Sequence, residues 1–383
     1  MKYWRGYLVA AIFAAISIAM TTFAKTYPVL VDMIYPYVSR LVVTSLAEMN
    51  AGGSCVWQIA LVIMVLLFIA SIVLMLFLRW NPIQWLGWVA AAISCIVMLH
   101  TGLYGLNAYC SPLADDMHLQ VTDYTVSELN EAAVYFRDKA NALALQVARD
   151  DKGNPDFGTF DELAQQAGNG FENLTYEKAI PVFSGSTVPV KKQLFFAVKG
   201  NSGITVPLTG EAAVNPRVPE VSMPFAISKE MAHRMCIYSD ADANFTAFLA
   251  GVNNDSPAFQ YSAYVMAYHY CYEALSSIPT TTAKACAEQT HSGVNELLRK
   301  DLADCGKFYG NTKASDKVRT TDAPVTAEES VVTFSEYSSV TDLLASWYIQ
   351  EYILPTHREE EAPFNPKDPT QVDLTSSATE AAA

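Results

Sequence analysis

The sequence predicts a mainly α protein in two parts, a membrane domain followed by a mostly helical extracytoplasmic domain with a small β region. Three observations predict this. Long apolar runs crowd the first ~106 residues, each near the roughly 20 residues that a bilayer core requires. The remaining sequence is dominated by apolar residues at helical spacing. Only the stretch from Val182 to Pro207 reads as short strands. The expected boundaries are 1–106 for the membrane domain, 107–354 for the soluble domain and 355–383 for an acidic tail rich in Pro, Ser, Thr and Ala, expected to be disordered.

Three transmembrane helices are expected, at about 7–24, 57–78 and 83–106. The second is the clearest, uncharged and flanked by Trp57, Arg79 and Trp80. The first has a second reading as a signal peptide, because Thr22-Phe23-Ala24 resembles a small-residue cleavage site. Lys2 and Arg5 precede the first span, and Arg79 lies in the turn between the second and third. Basic residues favour the cytoplasmic side, so the loop from Lys25 to Val56 and everything after Leu106 are expected outside, in a multi-pass protein of the cell membrane. Lys25 and Arg40 weigh against that orientation.

The 383 residues carry a net charge of −14, which argues against nucleic acid as a partner, since phosphate binding needs clustered Lys and Arg. The partner that the sequence does imply is the lipid bilayer. Seven cysteines are present, and outside the cell Cys271 could pair with Cys286 or Cys305, or all could be buried thiols.

In the soluble part, helices are expected over Ser127–Arg149, over Asp161–Ala167 ending near Gly168, and from Pro224 to about Tyr238. Others are expected from a Ser239 cap to Leu249, and over Gln260–Leu275, Thr281–Leu302 and Ser338–Tyr352. Gln193–Val198 and Ile204–Pro207 are the expected strands.

The chemistry concentrates in Lys229-Glu230-Met231-Ala232-His233, followed by Ser239-Asp240-Ala241-Asp242. A zinc peptidase places two histidines at i and i+4 on one helix face, with a glutamate between them as general base and a further acidic ligand downstream. Here Glu230 and His233 stand in the glutamate and second-histidine positions, and Lys229 replaces the first histidine. A protonated amine offers no lone pair and repels a divalent ion. Its ammonium is therefore expected to fill the metal's place, neutralised by Asp242. No cofactor is then needed. The competing reading is an active zinc enzyme, with Glu230 as base, His233 and Asp242 as ligands and Cys236 as substitute ligand, since Cys236 is three residues beyond His233. A third reading is a structural membrane protein.

The run from Gly203 to Asn215, the motif itself, then Asp242-Ala243-Asn244-Phe245 and Phe259 to Tyr264 occur in an order that resembles the bacterial membrane-protein family called domain of unknown function 3810. Gly105-Leu106-Asn107 and Tyr337 to Leu344 resemble two further landmarks. That family is similar to zincin-type metallopeptidases, so the resemblance implies a zincin-like soluble domain. It implies Glu230 as the catalytic glutamate, His233 as the second ligand and Asp242 at the third ligand position, with Cys236 where glycine is usual. Glu211 and Asn215 match the upstream motif without an assigned chemical role. With Lys229 in place, the resemblance implies a catalytically impaired peptidase-like protein that binds a peptide or protein partner.

Overall fold

The computed structural model describes residues 4–176, 181–185, 187–195, 197–309, 337 and 339–354. The expected acidic tail lies outside the described residues. Four helices, one more than expected, are long and apolar enough to cross a membrane: α1 (Arg5–Thr26), α2 (Pro28–Met49), α3 (Val56–Phe77) and α4 (Pro82–Leu103). The additional one is α2, which occupies the stretch expected to be a loop. Asp32, Arg40 and Glu48 interrupt its apolar pattern, and Pro36 sits inside it at the cost of one backbone hydrogen bond.

α1 and α4 pack along their length through small residues. A Cβ on Gly6 would lie 2.4 Å from the backbone of Gly87, and the Ser17 and Thr101 hydroxyls meet at 3.0 Å. Close backbone approach of this kind is how helices associate where lipid removes the hydrophobic drive. α3 is exposed almost throughout, touching α4 through the Trp85 indole, which donates to Ser71 Oγ.

α1, α3 and α4 each have one end against the soluble domain and the other remote from it. Lys25, near the end of α1, lies over the Tyr109 ring. α4 runs into a 3-10 turn at Gly105–Tyr109. α3 starts on Glu211 of the soluble domain. Arg5 and Arg79 mark the remote ends. α2 instead lies along the domain. Asp32 accepts from Ser111, Ser39 Oγ accepts from Asn107 Nδ2 while donating to Leu103 O at the end of α4, Arg40 donates to Met235 O, and Asn50 donates to Thr209 O. Its other face leaves Met33, Ile34, Tyr37, Val38 and Leu41 exposed.

The soluble part is mainly helical: α5 (Leu113–Asp116), α6 (Val126–Ala144), α7 (Phe160–Tyr176), α8 (Met223–Arg234), α9 (Asp240–Val252), α10 (Pro257–Ser277), α11 (Thr281–Ser292), α12 (Glu296–Tyr309) and α13 (Val340–Tyr348), which runs into a π turn at Ile349–Ile353. α10 is the central helix, packed by α6, α8, α9, α11, α12 and α13, with Phe259, Tyr261, Val265 and Tyr268 buried. α6 begins with a capping box made by Thr125 and Glu128. α7 continues through Gly168 and Gly170, where the sequence suggested a stop. Gly170 is there for contact, since a Cβ would fall 2.0 Å from Ala250 O. The helix expected over Thr281–Leu302 is two helices, α11 and α12, parted around Gly293. All seven cysteines are free thiols.

The β region is a three-stranded sheet in the order β1 (Lys191–Lys192), β3 (Glu211–Val214), β2 (Gly203–Val206). β2 and β3 form an antiparallel hairpin with Gly203 opposite Val214, and β1 runs parallel to β3. β3 is fully buried and was not legible as a strand, because Glu-Ala-Ala-Val lacks alternation. The hairpin turn needs Gly210, which has φ +68° and abuts α2 so closely that a Cβ would lie 2.3 Å from Ala47 N.

Candidate functional site

α8 carries the degenerate motif and starts with Pro224 in its first turn, where a missing N–H costs nothing. It ends in a Schellman-type turn, with Ile237 N donating to Ala232 O and Cys236 N to His233 O. Cys236 takes the left-handed position of that turn at φ +68°. The resemblance made glycine usual here, and the backbone gives the reason. α9 follows immediately, capped by Ser239 Oγ, which accepts from Asp242 N at 3.0 Å.

Lys229 and His233, at i and i+4, point the same way and converge on one atom. Lys229 Nζ lies 2.8 Å from Asp240 Oδ1, and His233 Nε2 lies 3.3 Å from the same oxygen. His233 Nδ1 is 2.9 Å from Ile237 O. Both partners of the ring are acceptors, so both contacts are hydrogen bonds only in the doubly protonated imidazole. The His233 hydrogen bond and the Lys229 charge hold the Asp240 carboxyl far below the usual carboxylate range.

Glu230 turns inward and is buried beneath β2. Thr205 Oγ1 donates to its Oε2 at 3.1 Å and contacts its main-chain carbonyl. Gly203 gives it room, since a Cβ there would fall 2.6 Å from Glu230 Cγ. Burial pushes the Glu230 carboxyl up, opposed by the charges of His233 and Lys229.

These groups line a cleft of about 780 Å³. Its walls are β2, the loop 200–202, and the rings of Tyr104, Phe225, Tyr270 and Tyr309. Among the described residues β2 is an edge strand. Asn215 N donates to Ser202 O, so by the alternation of an antiparallel ladder Gly203 and Thr205 turn their own N–H and C=O away from β3, the Gly203 N–H donating to Asn201 Oδ1 at 3.3 Å. Tyr104 caps the end of α4 and its ring meets that of Tyr238 at 5.5 Å, tilted by 40°, so the cleft opens at the level where α4 leaves the membrane domain.

Asp242, expected beside Lys229, is elsewhere. It faces a separate cavity below α2, where Tyr337 donates to it, and burial pushes its carboxyl up. Asp240, two residues earlier, is the acid that meets the lysine. Cys236 also leaves the motif face, because the helix has already ended. Its thiol meets Ser39 Oγ at 3.2 Å, and burial raises its pKa.

Glu211 and Asn215 acquire positions. Glu211 accepts from Val56 N and Trp57 N, both at 2.7 Å, and from Lys191 Nζ at 2.7 Å. It therefore caps the positive end of the α3 dipole with a buried charge. Asn215 donates to the carbonyls of Val198 and Asn201, both at 2.8 Å, and pins the loop that roofs the cleft. Sequence reasoning missed Asp240 and Thr205 as site residues. The available signal for Asp240 was its place as the first helical residue after Ser239, the first carboxylate to follow His233 along the chain.

The donor set does not fit a zinc ion. Among the described residues, no group of three or more His, Cys, Asp or Glu side chains could hold a metal. An ion where the two side chains converge would lie against the Lys229 ammonium. Two unit charges ~4 Å apart repel by about 4 kcal/mol at an effective dielectric near 20, and a divalent ion doubles this.

No curated protein and no solved structure matches the chain. The family model described as "Protein of unknown function (DUF3810)" matches residues 26–344, which takes in α2 to α4, the sheet, the cleft and the start of α13, and the chain belongs to that family.

Proposed function

We propose that this chain is a membrane-anchored, metallopeptidase-like protein that holds an extended peptide or protein segment in an extracytoplasmic cleft without hydrolysing it. One observation carries the reading: the two side chains at the metal-ligand spacing close on the Asp240 carboxylate, so the place of the ion is taken by an internal salt bridge. The outer edge of β2 supports a peptide as the occupant, because a strand edge accepts another strand by main-chain hydrogen bonding, here through Thr205, while the Gly203 N–H is held by Asn201 Oδ1. Arg5 and Arg79 at the ends remote from the domain support its extracytoplasmic placement.

The test uses full-length protein in detergent micelles and a pool of N-acetylated hexapeptides. The expected result is substoichiometric zinc, slowed amide exchange at Thr205 on adding the pool, and no cleavage products. One zinc per chain together with peptide cleavage that disappears in Glu230→Gln would overturn the reading.

A further inference from the structure

We propose that Lys229 and His233 form a carboxylate-binding site, occupied in the resting protein by Asp240 and taken over by a carboxylate of the bound segment. The inference rests on the peptide-cleft reading above and names the chemistry that the occupant must carry.

The geometry separates a recessed receptor from an exposed plug. The side chains of Lys229 and His233 are 17% and 15% exposed, whereas that of Asp240 is 78% exposed. Asp240 therefore sits at the rim and reaches inward to two donors that lie deeper. Both donors meet the same oxygen, as they would meet one oxygen of any incoming carboxylate.

The plug can be displaced without undoing the start of α9. The start of α9 is secured by Ser239, which caps Asp242 N, so the fold of the helix does not depend on the Asp240 side chain. An incoming carboxylate has to take over the same two contacts, and Asp240, which sits at the rim, regains water when it is displaced. Among the described residues lining the cleft, the acid other than Asp240 is Glu230; its carboxyl turns to Thr205, and burial raises its pKa.

The rest of the cleft fits a segment leading to that carboxylate. Thr205, with its outward N–H and C=O, and Gly203, whose N–H is held by Asn201 Oδ1 and whose C=O turns outward, line the same cavity as Lys229 and His233. Phe225, Tyr270 and Tyr309 supply apolar wall for side chains beside the main chain. The carboxylate could belong to a chain terminus or to an Asp or Glu side chain; the chemistry is the same, and the experiment separates the two sources.

The probe is a pool of hexapeptides randomised over uncharged residues, labelled with a neutral dye at the N-terminus, prepared as free acids, as C-terminal amides, and as amides carrying one internal glutamate. Binding to the full chain in micelles is read by fluorescence anisotropy. The free-acid pool is expected to bind at least tenfold tighter than the amide pool if the terminus is recognised. The glutamate-bearing amides recover that affinity if a side chain is recognised. Asp240→Asn is expected to tighten carboxylate binding several-fold and leave amide binding unchanged. Lys229→Met is expected to bring the acids down to the level of the amides, and Lys229→Arg to keep the preference. Equal binding of all three pools, unmoved by Asp240→Asn, would overturn the carboxylate site while leaving the peptide cleft standing. Failure of every pool to bind both the wild type and Asp240→Asn would overturn the cleft reading itself.

Discussion

Lys229 and His233 meet because residues four apart on a helix share a face, and that spacing was plain in the sequence. Their acidic partner was not. The path from α8 to α9 turns on Cys236 in the left-handed region, and that turn brings Asp240 to the motif face while Asp242 faces Tyr337. A linear spacing carries no information about such a turn. Glu230 yields a prediction at this scale. Its folded carboxyl titrates above the unfolded one, so its contribution to stability is fully present below the unfolded pKa and is lost as pH rises through the folded value. Glu230→Gln removes that loss and keeps an acceptor for Thr205. Its melting temperature relative to wild type is expected to rise between pH 5 and pH 8; a difference that stays flat or falls with pH would contradict the buried-acid assignment.

Among the elements, α3 and the hairpin depend on each other. Glu211 is buried with Lys191 and satisfies two N–H groups at the start of α3. Removing one member of a buried pair strands the other, at a cost of about 3–5 kcal/mol. Glu211→Ala is expected to lose that much in chemical denaturation of the full chain in micelles, and the Glu211→Ala/Lys191→Met double variant to recover part of it. Gly210→Ala places a Cβ against the backbone of α2 at a positive φ. A loss of about 1–3 kcal/mol is expected, with resonance or labelling changes centred on Val43 to Ala47. The sequence made α3 and α4 legible because neither run holds an Asp, Glu, Lys or Arg. It concealed α2, where Pro36 and three charges obscure a helix that is stabilised by the domain it lies against. It also concealed the length of α7, where glycine serves a helix contact and not a stop.

For the whole molecule, the division into an apolar N-terminal part and a helical domain was readable from composition, but their mutual placement was not, since it depends on contacts between residues over a hundred positions apart. Three helices leave the domain and one lies along it, an arrangement that predicts Ala51 and Arg79 on opposite sides of a bilayer crossed by α3. In a variant lacking the native cysteines, Ala51→Cys is expected to react with an impermeant maleimide on intact cells, and Arg79→Cys only after permeabilisation. The reverse pattern would place the domain in the cytoplasm.

β3 is four residues long, yet its first residue grips a helix bound for the lipid and the residue after its last tethers the lip over Lys229 and Glu230. A short, fully enclosed strand has little slack. Axial travel of α3 therefore cannot be absorbed between these two attachments: either the buried glutamate gives up its amides, or the lip moves with the membrane.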